Sequence, residues 1–426
     1  MEWIKGPVGP GAERRVTRAG LKTVLVLVPH VVAGTRLVDV LPVLEGDHRV
    51  QVVFTVPDWD GTWHGTEEFV RGLGGVVLPW RQAVAERFDL VLAASHRGVD
   101  RVRGPVLVLP HGVGALKSRT RPWRSHGLAR EALVRNGRVV AAAIVVAHEG
   151  ELAVLRESCP EAVSAAVVGG DVCLDRMVAS LPHREHYRRA LGVERELIAV
   201  CSTWTPQSVF GAHPEVFRRL LDERVDERTR VAAVLHPNTW AVHGPWQVRS
   251  WLADCLRDGL LLVPPEEGWR AAVVASDVVL GDHGSTTQYA AAIGRRIALV
   301  PFPDVRADSP ADVLARRATV LDLSRPLLPQ LDAAHGGHEV LAESITSRPG
   351  SAAAVLRLTI HRMLGLDEPA RPVEATPVPT LHAAGFGMET HVVQGLSPDR
   401  AFYAIGGPRA LNRLQVGADS PTVREP

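Results

Sequence analysis

Short aliphatic, β-branched runs alternate along the chain with amphipathic stretches, the pattern of a parallel sheet covered by helices. The spacing predicts strands over residues 23–28, 50–55, 76–78, 89–93 and 106–109, with helices over 36–44, 64–73 and 82–88 between them. These Val/Leu runs are continuous rather than alternating, which suits strands buried on both faces. Runs at 139–146 and 162–168 are further strand candidates, although their alanines leave the type open. A break at Gly169-Gly170-Asp171 and a helix over about 183–191 follow. The alternation then restarts, with strands over 197–201, 231–235, 260–263, 278–280 and 297–300 and helices over 213–221, 246–258, 268–275 and 285–294. A last amphipathic stretch, 351–364, is expected to cross back onto the first half.

The organisation this implies is an α/β protein of two Rossmann-like domains facing across a cleft. Residues 1–19 are an arm, 20–170 the first domain, 171–350 the second and 351–366 a return helix. Residues 367–426 begin with Pro369, Pro372, Pro377 and Pro379 and read as a linker and extension, either a small appendage or disordered chain. A length of 426 residues fits such a division.

Charge narrows the class. Lys+Arg is 48 and Asp+Glu is 47, so the formal net charge is +1, without the basic excess of a nucleic-acid-coating protein. All basic residues except Lys5, Lys22 and Lys117 are arginine, which is read first as coding bias. Cys159, Cys173, Cys201 and Cys255 form no CxxC pair, so neither a zinc knuckle nor a thioredoxin-type site is indicated. The N-terminal residues have no signal-peptide core, and the longest apolar run, 24–33, is broken by Pro29 and His30 and is too short to span a bilayer. A cytoplasmic protein with no transmembrane segment is expected.

The segment richest in chemistry is 278–292, VVLGDHGSTTQYAAA, read as strand, glycine turn and helix. Gly281 and Gly284 let the backbone bend close to a ligand, with Asp282 and His283 between them. Ser285, Thr286 and Thr287 place hydroxyls and unpaired N–H groups at a helix start, which suits a diphosphate. A plain N-cap is the simpler alternative. His236-Pro237 ends another strand, at the sheet edge where open α/β folds bind ligands. His111, in Leu-Pro-His111-Gly112-Val-Gly114, follows a strand of the first half, and the glycines leave an imidazole room to act as a base. Thr203, Thr205 and Ser208 end a further strand and are candidates to line the cleft, and Gly34 precedes a helix in the first turn of the first half. Asp58-Trp59-Asp60 has the form of a metal-binding DxD, but Pro57 and Gly61 make it a turn, so no metal is expected.

Together, LPHG (109–112), GGDVCLDR (169–176), STWTP (202–206), LHPN (235–238) and GDHGSTTQYAAAIGRRIALV (281–300) resemble the bacterial CDP-glycerol glycerophosphotransferases. More broadly they are similar to the GT-B glycosyltransferase and UDP-N-acetylglucosamine 2-epimerase superfamily. The resemblance covers about residues 20–365 and implies a base at His111, a phosphate-binding His236-Pro237 and a ligand turn over Gly281-Asp282-His283-Gly284-Ser285. His283 and Gly284 look more like the epimerase turn, and Gln288 and Tyr289 stand where many relatives carry an acid. The function implied is metal-independent transfer of a sugar or glycerophosphate from a nucleotide-diphosphate donor to an acceptor hydroxyl, with the donor as substrate and no cofactor. A nonhydrolysing epimerase, with Asp282 as the acid available to it, and a catalytically degenerate nucleotide-binding protein are the alternatives. No nucleic-acid partner is implied, and a homodimer is compatible with this reading.

Overall fold

The structure, a computed structural model, describes residues 3–58, 63–114, 127–302, 305–307, 309–381, 393–394 and 401–402. In the first half the strands are β1 (Lys22–Leu27), β2 (Val50–Thr55), β3 (Val77–Leu78), β4 (Leu90–Ala93) and β5 (Val106–Val108). A small hairpin follows, β6 (Val134–Arg135) and β7 (Arg138–Val139), and then β8 (Ala143–Val146) and β9 (Ala166–Val168) complete the sheet. The order is β3-β2-β1-β4-β5-β8-β9 and every pairing in it is parallel. In the second half β10 (Glu196–Ser202), β11 (Thr229–Leu235), β12 (Leu261–Leu262), β13 (Val278–Gly281), β14 (Arg296–Leu299) and β15 (Thr319–Val320) follow. They form a second parallel sheet, β12-β11-β10-β13-β14-β15.

Both sheets are doubly wound, with helices on both faces, as the continuous apolar runs require. Val24, Leu25, Val26 and Leu27 of β1 are all fully buried, as are Ile198, Ala199 and Val200 of β10. The strand order reverses beside β1 in one sheet and beside β10 in the other. Ligands of open α/β sheets sit in the crevice beyond the carboxyl ends of the strands at that reversal. Topology therefore points to the segments after β1 and β4 in the first half and after β10 and β13 in the second, with the ends of β5 and β11 next to them.

The helix Ala352–Leu364 belongs to the first half's core. Ala352, Leu356, Ile360 and Leu364, four residues apart on one stripe, pack with Val24, Val26, Leu92 and Leu107. The Asp175 carboxylate accepts from the N–H groups of Gly350 (2.7 Å) and Ala352 (2.9 Å) and so fixes the helix start. The extended chain beyond then runs over the second half, where Val378 and Leu381 enter the core and Tyr187 donates to the Val378 carbonyl (2.8 Å). Thr380–Leu381 pairs with 393–394, and 393–394 with 401–402, in a small antiparallel sheet. Among the described residues no helix is long and apolar enough to cross a membrane.

Local structure differs from the pattern reading in three places. Residues after the Gly169-Gly170 break form a helix, Val172–Ser180, because the Asp171 side chain accepts from the N–H groups of Cys173 and Leu174 and caps it. The run 139–146 is split between the hairpin and β8, and most of 162–168 is a 3-10 turn. The helix expected from 246 starts at Pro237, capped by His236, and is kinked where Gly244 (φ 79°) precedes Pro245.

Three chain crossings join the halves, one at Gly170, one into the helix Ala352–Leu364 and one in the extended chain that leaves it for Val378 and Leu381. Gly170 lies at φ +77°, and a Cβ there would stand 3.0 Å from Arg348 Cβ and 3.2 Å from Ala352 Cβ. Gly170→Ala is expected to lower stability by roughly 1–3 kcal/mol, from both the left-handed backbone and the contact. Calorimetry reads this, and an unchanged melting temperature would refute it.

A chain of buried charges spans the same boundary. Asp39, on the helix Val31–Val40 of the first half, accepts from Arg176 beyond the crossing and from Arg270 (2.7 Å) of the second half. Arg36, one turn before Asp39, donates to Asp171 (3.1 Å) and to the Tyr289 hydroxyl (2.7 Å), which itself donates to Asp171 (2.6 Å). Arg176 also donates to the Thr376 carbonyl (3.0 Å), so the extended C-terminal chain is tied to the same cluster.

Candidate active site

Three histidines stand directly beyond strand ends, and their hydrogen bonds fix which ring nitrogen carries the proton. His111 follows β5, with its Nδ1 2.7 Å from the Ala94 carbonyl at the end of β4. A carbonyl only accepts, so Nδ1 is protonated and the neutral ring carries its lone pair on Nε2. His236 follows β11. Its Nδ1 accepts from the Asn238 N–H (3.1 Å), so its proton is on Nε2. His30 follows β1 and caps the helix Val31–Val40, its Nδ1 accepting from the Ala33 N–H (3.1 Å), so it too is an Nε2–H tautomer. The rings of His30 and His111 meet edge to face, with centroids 5.4 Å apart. Burial, with Arg97 adding to it, pushes the His30 pKa down to about 4.

The turn after β13 is built from behind. Asp282 is wholly buried, and one carboxylate oxygen accepts from the Thr203 N–H (2.9 Å), the Thr203 hydroxyl (2.8 Å) and the Val209 N–H (3.3 Å). The other oxygen accepts from the Gly284 N–H (3.0 Å). Both glycines are needed here, because a Cβ on Gly281 would lie 2.2 Å from Thr287 Oγ1 and one on Gly284 2.8 Å from Thr203 Cγ2. The helix Ser285–Ala292 that follows has no side-chain cap. Its half-buried first turn, Ser285 and Thr286, therefore presents N–H groups beyond the sheet edge. The Ser285 hydroxyl accepts from the Val113 N–H (3.2 Å), so this turn and the His111 loop touch across the cleft.

The remaining expected site residues divide into two groups. Gly112 is buried in the loop between His111 and Val113, Pro237 is the first residue of the helix that His236 caps, and Thr205 and His283 are half-buried on the loops after β10 and β13. Gly34, Thr203 and Asp282, also expected at the ligand, each have a role inside the protein. Gly34 is buried inside a helix, where a Cβ would meet Phe69 Cε1 at 2.3 Å, so its smallness admits a neighbouring helix. Thr203 and Asp282 bond to each other and shape the turn from within. Trp59 and Asp60 of the DxD lie outside the described residues. Among the described residues no three His, Cys, Asp or Glu side chains group as metal ligands, and all four cysteines are buried and free of disulfides.

Sequence reasoning misses His30 and two tryptophans. Half-exposed Trp204, on the loop after β10, stacks on His236 (6.3 Å, 30°), and Trp63 of the first half meets Trp204 edge-on (6.2 Å, 89°). His30 carries the same signal as the other two histidines, a Pro-His or His-Pro pair at the end of a Val/Leu run.

No family model matches the chain, and no curated protein sequence does either. Solved structures do. The wall teichoic acid polymerase TagF superposes with TM-score 0.54 at 10% identity, over 81% of this chain and 89% of that one, and a TagF variant soaked with CDPG gives 0.55. S. aureus MnaA with UDP gives 0.47 at 15% identity, over 83% of this chain and 100% of that one. Anabaena HepE with UDP gives 0.42 at 11% identity, over 81% and 100%. With its two doubly wound sheets facing each other across a cleft, the chain has the GT-B fold that TagF also has.

Proposed function

We propose that the protein is a GT-B transferase that moves a sugar or glycerophosphate group from a nucleotide-diphosphate donor to an acceptor hydroxyl. The donor's diphosphate lies on the first turn at Ser285 and Thr286, with His236 giving its Nε2–H to a phosphate oxygen. The acceptor enters from the first half, and its hydroxyl proton passes to His111 Nε2. The acceptor oxygen bonds to the transferred carbon or phosphorus, the nucleotide phosphate leaves with the electrons of the broken bond, and His111 later returns the proton to solvent. A helix N-terminus and an imidazole meet the leaving-group charge, so this route uses no metal and operates in the cytoplasm.

The observation that supports this reading most is the opposed tautomers. His111 has the lone pair a base needs, and His236 has the proton a phosphate ligand needs. The fold shared with TagF agrees with it. Epimerisation would need an acid at the sugar, and the carboxylate of Asp282 is fully buried and accepts four hydrogen bonds, from Thr203, Val209 and Gly284. Calorimetry with CDP, UDP and CMP tests the donor site. Replacing Ser285 and Thr286 together by alanine is expected to cost about 1–3 kcal/mol of nucleoside diphosphate affinity and less of monophosphate affinity. Equal losses for both would place the diphosphate elsewhere.

A further inference from the structure

The helices Val31–Val40 and Ser285–Ala292 both begin at the cleft, one capped by His30 and the other with Ser285 as its first residue. Behind the cleft they are bound to each other. Arg36 donates to the Tyr289 hydroxyl (2.7 Å) and to one oxygen of Asp171 (3.1 Å), and Tyr289 donates to the other oxygen (2.6 Å). The three side chains close a ring of hydrogen bonds, and all three residues are buried. Arg36 lies about 9 Å along its helix from His30, and Tyr289 about 6 Å along its own from Ser285. One turn beyond Arg36, Asp39 takes Arg176 and Arg270 and so holds the first helix at a second point. In front, the Val113 N–H donates to Ser285 (3.2 Å), and Trp63 meets Trp204 edge-on.

We propose that Tyr289 is a positioning residue: with Arg36 and Asp171 it latches the helix whose first turn faces the cleft to the first half, so that the two halves move as one body and the cleft keeps a single width. Swinging the halves apart would pull a buried guanidinium away from the phenol. A buried charge stripped of its partners is among the costliest groups a protein can hold. Anchors one turn apart on the helix Val31–Val40 also resist a tilt of one half on the other. The inference goes beyond the transferase reading and does not need it, because the latch is made by the chain alone.

The test uses the full chain with spin labels at Glu68→Cys, on the helix Thr66–Gly72, and at Glu215→Cys, on the helix Glu215–Glu223. Both positions are exposed, and the four native cysteines are buried. Double electron–electron resonance is expected to give one narrow distance for this parent, the same with and without CDP or UDP. A broad or two-peaked distribution, or a shift on adding either nucleotide, would overturn the proposal. Tyr289→Phe keeps the ring that lies against Trp269 (6.0 Å) and removes only the hydroxyl. It is expected to add a second population, longer by about 5 Å or more, the rise of one helical turn. A distribution like the parent's would dismiss Tyr289 as the latch. Leu331→Ala, in the core of the second half, is expected to lower the melting temperature and leave the distance narrow. The same broadening there would reduce the Tyr289 effect to lost stability and overturn its positioning role. If Tyr289→Phe does not fold, the parent's own distribution still decides. Calorimetry with the same nucleotides keeps the two readings apart. If neither binds, the transferase reading falls, while the distances without nucleotide continue to test the latch.

Discussion

Replacing His111 by alanine is expected to cut kcat by about 10²–10⁴-fold, the usual contribution of a positioned base, while nucleoside diphosphate affinity stays within about twofold. The loss should shrink at high pH, where hydroxide or an ionised acceptor substitutes. His236→Ala should instead weaken donor binding and slow the reaction together, since a proton given to a phosphate oxygen acts in both ground and transition states. The distinction follows from the two rings' hydrogen bonds, Nδ1 donating to Ala94 in one and accepting from Asn238 in the other. Calorimetry and steady-state rates on both variants decide it. Lost donor binding in His111→Ala with intact binding in His236→Ala would reverse the roles. No change in either would favour a protein without catalytic function.

Asp39→Ala should be the most destabilising single change at the boundary between the halves. It leaves Arg176 and Arg270, both buried, without the carboxylate between them, a loss of about 3–5 kcal/mol for a broken buried ion pair. Because Asp39 joins helices from both halves, calorimetry should then show two partly separated transitions in place of a single cooperative one. A melting curve like the parent's would refute this. The linkage also has a sign. Burial pushes the Asp39 carboxyl up, but Arg270, then Arg176 and Arg36, outweigh it and hold it below the usual range. A lowered folded value means that its contribution is complete above the unfolded pKa, near about 4. That contribution is lost as pH falls through the folded value, so the parent should weaken more than Asp39→Asn on acidification.

Much of this architecture is legible in the amino-acid pattern. The Val/Leu runs that become β1, β2, β4, β10, β11 and β13 are long and continuous, and a buried parallel strand leaves no other trace. The GDHGST turn is equally plain, because its glycines have no substitute at such close contacts. What escapes depends on partners far away in sequence. The Asp171 cap, the Asp39 cluster and the sealing of Asp282 each require knowing which distant N–H or guanidinium arrives. Gly34 reads as a ligand position because spacing cannot tell a phosphate from the Phe69 ring. His30 is legible in principle, yet a cap and a site residue look alike in one dimension.

The return helix makes the first half's core discontinuous in the chain. Ala352, Leu356, Ile360 and Leu364 cover Val24, Val26, Leu92 and Leu107, yet they leave the ribosome roughly 200 residues after β9. At ordinary synthesis rates that is a wait of about 10–40 s. Through it the part of one apolar face of the seven-stranded sheet that this helix covers stands open, while the helix Val31–Val40 already covers its neighbour, and the open part is a natural target for a holding chaperone. The same geometry governs dissection. A fragment ending near residue 170 should aggregate, while co-expression with a peptide spanning the helix Ala352–Leu364 should restore its solubility.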